Sequence, residues 1–415
     1  MSSGAWRDRP ISELCAKIID CVNKTAPVVE GPTPYRMIRT TNVKRGLLDL
    51  TSVRYVEKET YDKWTRRGAP RAGDIVLTRE APLGEVALVH DDAGIFLGQR
   101  LMMYRVDQEQ ADSSFLMNAM RAPDVQAQIK AFGSGSTVEH MRVPDCGHLL
   151  VACPDVVQQR RIGAIFRTLD ELIAVNKRRI ELLKGQARSL YREWFARQRL
   201  PGHEAAGWSS PGDGPPPSGW QLLPLFQLAD VTFGFPFKSS GFDASGPYPV
   251  IRIRDVPRGA TSTFTVEESA ERYAVRDGDL LIGMDGEFHM AQWTGGPAWL
   301  NQRVARLRPR RGVSARLLML VMSAPLRHLN DSIVGTTVAH LGKRHLEEIR
   351  ILLPSDDALA EATASFDALA EQELVLVKQS RQLAATRDLL LPRLATGRLD
   401  ISEIDLGDLL PAEVA

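Results

Sequence analysis

An internal duplication constrains this chain more than any other feature of its sequence. YRMIRTTNVKRG at 35–46 matches YPVIRIRDVPRG at 248–259, and RAGDIVLTRE at 71–80 matches RDGDLLIGMD at 276–285. GQRLMMYRV at 98–106 matches NQRVARLRP at 301–309, and STVEHM at 136–141 matches TTVAHL at 336–341. From there the offset holds at 200 residues, so that Pro154 aligns with Pro354, Phe166 with Phe366, Leu169 with Leu369 and Leu190 with Leu390. Matches in one order with a slowly drifting offset define two copies of one unit, with insertions inside the first part of each. A chain of 415 residues is also too long for a single core.

Each copy has two parts. Residues 1–150 and 218–350 read as short alternating or apolar runs broken by Gly, Pro, Asn and Asp, which predicts β-rich globules. Strands are expected at Tyr35–Arg39, Asp74–Thr78, Val86–Val89, Leu101–Val106, Val250–Ile253, Leu280–Ile282 and Val304–Leu307, with short helices at 111–130 and 314–330. Each globule is followed by a long helical period, at 155–199 and 357–395. In the first, Ile162, Leu169, Asn176, Leu183 and Leu190 lie seven apart; in the second, Ala362, Leu369, Leu376, Leu383 and Leu390 do. Seven-residue spacing sustained over four heptads predicts a coiled-coil seam. Asn176 is its one polar member, either a register-fixing residue inside the contact or a residue facing solvent at its end. Two helices from two copies of one unit pair most simply antiparallel. The fold class is therefore α+β: two β-rich domains, each followed by a long helix, the helices forming an antiparallel coiled coil. LPGHEAAGWSSPGDGPPPSGW at 200–220 is a linker by composition.

Charge supports that pairing. The formal net charge is +1. Residues 151–200 nevertheless hold 11 basic and 5 acidic residues, and residues 351–415 hold 5 basic and 12 acidic ones, so the two helical segments are opposite in sign. An N-terminus without an apolar signal core, and no apolar run near the ~18 residues of a membrane span, lead us to expect a cytoplasmic protein without a membrane partner. The four cysteines, Cys15, Cys21, Cys146 and Cys153, have no CxxC spacing and read as buried, reduced thiols.

Motifs for chemistry are missing. No GxxxxGK[ST], HExxH, GxSxG or His/Cys cluster occurs. FGSGS at 132–136 does not open a long helix after a buried strand, and its counterpart is IVGTT. The sequence points to a chain that binds without catalysing, with no metal or cofactor of its own.

The layout of globule and long helix, twice over, resembles the specificity subunit of type I restriction-modification systems. CPDVVQQRRIGAIFRTLDELIAVNKRRIELLKGQARSLYREWFA is similar to that family's Pro-x4-Gln-x2-Ile entry into its first long helix, LLPRLATGRLDIS to its last helix exit, and PSGWQLLPLFQLADVTFGFPF to the start of a target recognition domain. Residues 1–30 match such a start poorly. The resemblance implies target recognition domains at 1–150 and 218–354, spacer helices at 151–200 and 355–398, a linker at 201–217 and a tail at 399–415. It further implies a double-stranded DNA reader of a bipartite, asymmetric target. Two methyltransferase subunits and restriction-translocase subunits would be its partners. S-adenosylmethionine and ATP would belong to those partners. Two alternatives are a coiled-coil scaffold whose globules bind protein, and an orphan specificity factor serving another methyltransferase.

Candidate DNA contacts come from the repeated segments. Arg36, Arg39, Asn42, Lys44 and Arg45 share one strand-turn, answered by Arg252, Arg254 and Arg258. Ser134, Ser136, Thr137 and His140 follow one Gly-rich loop, answered by Thr336, Thr337, His340, Lys343 and Arg344. Hydroxyls and loop amides suit phosphate oxygens, Arg and Lys suit guanine edges, and Asn suits adenine. Gln99–Arg100 and Gln302–Arg303 also recur, as residues of the shared fold.

Overall fold

The computed structural model describes residues 6–133, 139–204, 215–310, 312–333, 340–401, 404 and 405. It forms two compact units, one of residues 1–174 with 381–415 and the other of residues 175–380. Each globule thus takes part of both long helices into its own unit.

The duplication is visible strand by strand. In the first unit a four-stranded antiparallel sheet runs in the order Cys15–Asp20, Leu101–Val106, Ile75–Thr78, Val86–Leu88. In the second the order is Ala229–Phe233, Val304–Pro309, Leu280–Gly283, Met290–Gln292. A smaller sheet in each unit contains a parallel pair, Arg36–Ile38 with Ile95–Leu97 and Tyr248–Ile251 with Ala298–Leu300. The repeated Gly-Asp dipeptides explain themselves here. Asp74 and Asp279 are buried, each caps its own turn by accepting from the Arg71 or Arg276 N–H, and each takes a bidentate guanidinium, from Arg105 (3.0 and 2.7 Å) and Arg308 (2.7 and 2.9 Å).

Helices cover one face. Pro123 and Ser323 divide the expected single helices into Ser113–Arg121 with Pro123–Phe132, and Ala315–Val321 with Ser323–Ile333. The long helices span Val156–Tyr191, extended by one π-turn at Arg192–Ala196, and Asp356–Leu394, with Pro392 in the last turn. In the first unit Arg161 donates to the Ile401 carbonyl (3.1 Å) and Arg387 to Asp170 (2.7 Å). In the second, Trp194 and Phe195 pack on Phe366, and Leu183 shares a core with Leu369. Within each unit one helix number rises as the other falls, so the pairing is antiparallel. Ile162, Asn176, Leu369 and Leu376 are buried; Leu169, Leu183, Leu190, Leu383 and Leu390 are half-buried.

The N-terminal segment is a full domain start, contrary to the poor match expected for residues 1–30. Trp6-x3-Pro10-Ile11-x2-Leu14 repeats Trp220-x3-Pro224-Leu225-x2-Leu228. Arg7–Pro10 pairs with Leu150–Cys153 as Trp220–Pro224 pairs with Arg350–Pro354. The Ile11 N–H then donates to the Leu149 carbonyl (2.8 Å), as Leu225 does to Ile349 (3.1 Å). Trp6 stands against Phe115 and Gly397 beyond the second helix, where a side chain at Gly397 would collide with its ring. Only three residues in nine recur, with Ile11 exchanged for Leu225, and charged Arg7, Asp8 and Arg9 stand where Gln221, Leu222 and Leu223 do. That substitution of charge for apolar character hid the match.

Candidate nucleic-acid interface

The strand-turn carrying the first candidates has the same backbone in both units. The Arg39 N–H donates to Asn42 Oδ1 (2.8 Å), and the Arg252 N–H to Asp255 Oδ2 (2.9 Å). Asn42 is fully buried, and its amide donates to the Asp49 carbonyl (2.8 Å) and Ser52 Oγ (3.1 Å), so all its polar atoms are engaged inside the loop. Asp255 is equally buried and accepts from Thr261 Oγ1 (3.0 Å). The Arg39 guanidinium is engaged too, on the Ser52 carbonyl (2.8 Å). Arg36 pairs with Asp91 (3.0 Å) and the Ala93 carbonyl. The Ala93 N–H and the Arg36 guanidinium together hold the Asp91 carboxyl below the usual carboxylate range. Lys44 and Arg45 remain as the exposed cations of this turn, with Arg45 in the left-handed region (φ 49°) and its N–H on Glu85 (2.9 Å).

In the second unit the equivalent turn is more open. Arg254 donates to Thr263 Oγ1 (3.2 Å), Arg258 is exposed, and the Arg252 guanidinium lies 5.7 Å from the centre of the Phe242 ring. Lys343 and Arg344 open the helix Lys343–Glu348 and pair along it with Glu347 (3.2 Å) and Glu348 (3.1 Å). Exposed pairs of this kind contribute ~0.3–0.5 kcal/mol, so a phosphate can displace them at small cost. Ser134, Ser136, Thr137, Thr336 and Thr337 lie outside the described residues.

One cluster unites residues that the sequence presents separately. His340 Nδ1 lies 2.6 Å from Asp285 Oδ1, Arg303 Nε lies 3.3 Å from Asp285 Oδ2, and Arg303 Nη1 lies 3.4 Å from His340 Nδ1. The first unit repeats it: Glu80 pairs with Arg100, and the His140 backbone bridges to Glu80. The carboxylates escaped the sequence reading, although Glu80 and Asp285 stand at the same last place of the repeat RAGDIVLTRE and RDGDLLIGMD. In the second unit this cluster borders a cleft of about 580 Å³ lined by Phe242, Arg252, Arg254, Asp285, Gln302 and Arg303. Arg252 and Arg254 are thereby brought beside Asp285, the carboxylate that His340 contacts; Arg258, Lys343 and Arg344 are not among the cleft residues. The arrangement offers guanidinium donors beside carboxylates and suits a polar, uncharged surface rich in hydrogen-bond acceptors.

Nucleophilic chemistry has no support in the thiols. Burial pushes Cys15 and Cys153 up to about 12 and Cys146 to about 11, and no disulfide forms among the described residues. Among the described residues no group of three or more His, Cys, Asp or Glu side chains could hold a metal, and no helix is long and apolar enough to cross a membrane.

Residues 217–374 match the type I restriction modification DNA specificity domain. The chain is 33% identical over 192 residues to the type I restriction enzyme EcoBI specificity subunit of Escherichia coli, a match covering 45% of this chain and 40% of that protein. It is 22% identical over 355 residues to the MjaIX specificity subunit of Methanocaldococcus jannaschii, covering 80% of this chain and 79% of the relative. Its fold is similar to that of the S subunit of a type I restriction-modification system from M. genitalium, with a TM-score of 0.57, 17% identity, and 95% of this chain and 97% of the other covered.

Proposed function

We propose that this chain is the non-catalytic DNA reader of a type I restriction-modification system, as its similarity to specificity subunits over both halves of the chain supports. Each globule reads one half of an asymmetric bipartite target in double-stranded DNA. The helices carry the two readers and dock two methyltransferase subunits, to which restriction-translocase subunits add. S-adenosylmethionine and ATP act on those partners, and the assembly works in the cytoplasm.

The observation that carries this reading is one turn built twice on the same backbone hydrogen bond, with different side chains facing out. Arg39-Thr40-Thr41-Asn42 and Arg252-Ile253-Arg254-Asp255 share the frame but differ in what they present. A duplicated frame with unlike outward residues is what two different half-sites require, because frame contacts position and only a few side chains specify. We assign phosphate contact to Lys44, Arg45, Arg258, Lys343 and Arg344, the exposed cations of the candidate set. Arg36, Arg39 and Asn42 hold the first turn in shape. Leu172, Leu182 and Val375 are exposed apolar residues on the helices, at 45%, 57% and 52% exposure, and suit a docked protein surface.

The test is selection from a random double-stranded library by the full chain assembled with a type I methyltransferase subunit. A gapped motif with two unlike halves is expected. Binding should fall about 500-fold between 50 and 200 mM salt if about five phosphates are neutralised. Enrichment of no motif, or binding insensitive to salt, refutes the proposal and favours a protein-binding scaffold.

A further inference from the structure

We infer that Arg252 is a specificity-determining residue of the second unit and that it reads a guanine. The inference rests on the DNA-reading role proposed above and sharpens it to one side chain and one base.

Three observations lead there. First, Arg252 is placed by its backbone: it ends the strand Tyr248–Ile251 and starts the turn Ile253–Asp255, held by its N–H on the buried Asp255 carboxylate (2.9 Å). Second, its guanidinium lies over the Phe242 ring at 5.7 Å, which restricts its torsions while leaving the donor edge of the plane open. Third, among the described residues that guanidinium makes no hydrogen bond and no ion pair, although carboxylates stand nearby. Asp285, in the same cleft, is engaged by Arg303 (3.3 Å) and His340 (2.6 Å), and Glu287 by His289 (3.3 Å). Arg39, at the equivalent place in the first unit, has its guanidinium committed to the Ser52 carbonyl (2.8 Å).

A positioned guanidinium with free donors selects two acceptors lying in its plane. Two ligands in DNA supply such a pair: a phosphate, and the N7/O6 edge of guanine. The Asp285 and Glu287 carboxylates line the cleft and oppose the entry of a further anion. They do not oppose a neutral base edge. Guanine is therefore the ligand that fits the charge as well as the geometry, and the first unit, lacking a free equivalent at Arg39, reads its half-site by other residues.

The experiment is the same library selection, run with the wild-type assembly and with Arg252→Ala, Arg252→Gln and Arg39→Ala. Wild type should enrich a bipartite motif. Arg252→Ala should lower the preference for one guanine in one half-site by about 10- to 100-fold. Arg252→Gln should lower it equally and raise adenine there, since Gln pairs with the adenine N6/N7 edge. The other half-site, read by a unit the substitution does not touch, should keep its preference and so reports that the protein is folded. Arg39→Ala, which removes the hold on the Ser52 carbonyl in the first unit, should leave the guanine preference read by the second unit unchanged. A motif unchanged in both Arg252 variants, or a uniform loss of affinity for all sequences, overturns the assignment; the latter would make Arg252 a phosphate contact. Failure of the wild-type assembly to enrich any motif instead overturns the DNA-reading role itself, and this inference with it.

Discussion

Gly163 and Gly185 lie in the same long helix, and alanine at the two positions should act in opposite directions. Helix propensity alone favours both changes by about 1 kcal/mol, since alanine loses less backbone freedom on folding than glycine. At Gly185 nothing lies within 4 Å of a built Cβ, so that gain should appear nearly whole. At Gly163 the Cβ would fall 2.0 Å from Asp112 Oδ1 and 2.8 Å from its Cγ, so the carboxylate must leave its place. That carboxylate caps the helix Ser113–Arg121 by accepting from the Phe115 N–H (2.9 Å), and it receives Arg167 Nη1 (2.8 and 3.1 Å). Loss of such a cap costs ~1 kcal/mol and loss of charge-assisted hydrogen bonds ~1.5–3 kcal/mol. Against the propensity gain, Gly163→Ala should lose about 1.5–3 kcal/mol net. At ~2–4 °C per kcal/mol for a unit of this size, its transition should fall by about 3–12 °C, while that of Gly185→Ala rises by ~2–4 °C. The second unit holds the complementary solution: the cap is the smaller Ser314, and Thr363 stands at the place of Gly163 and donates to the Gly312 carbonyl (2.8 Å). Asp112→Ser should accordingly restore part of the loss in a Gly163→Ala background. Thermal and urea melts followed by circular dichroism decide the matter. Equal shifts at the two glycines, or a higher transition for Gly163→Ala, would refute the steric argument.

Three further outcomes follow from the structure. Arg316 and Glu373 form a buried pair in which desolvation lowers the arginine and raises the carboxyl despite their proximity. Glu373→Gln should therefore cost ~3–5 kcal/mol by stranding Arg316, while Arg316→Met with Glu373→Leu should come within ~1 kcal/mol of wild type; a double variant as unstable as the single one contradicts this. Native Cys146 should react with iodoacetamide at pH 7.5 roughly 100-fold more slowly than an ordinary thiol, because burial raises it to about 11 and the thiolate is the nucleophile; complete labelling of the folded chain within minutes, read by mass spectrometry, would be inconsistent with that burial. A heptad inserted after Ala174 and another after Ser380 keeps the seam nearly in phase and lengthens each helix by ~10 Å, equivalent to roughly three base pairs. On the DNA-reading role proposed above, with the helices as its spacer, methylation mapping of the assembly should then show a gap about three pairs wider at reduced activity, and an unchanged gap at full activity would show that the helices do not measure distance.

Patterns that repeat at short range were legible in the amino-acid order. The heptads from Ile162 to Leu190 and from Ala362 to Leu390 marked both helices, and the alternating runs placed the seven expected strands within a residue or two, because period and turn chemistry are local properties. The duplication was legible because both copies keep the residues that close their turns, such as Asp74 and Asp279. What each candidate side chain is free to do was decided only by tertiary structure. Asn42 suits adenine by its chemistry, yet the fold turns its amide inward onto Asp49 and Ser52. Arg39 and Arg252 are the same residue in the same repeat, and distant neighbours separate them: Ser52 engages one guanidinium, and Phe242 props the other open. The carboxylates that meet Arg100 in the first unit and Arg303 and His340 in the second lie 18 to 55 residues from those partners along the chain, so no short window of sequence displays the cluster. Sequence sets which groups exist and which elements carry them; whether a donor reaches solvent depends on acceptors that only folding brings within 3 Å.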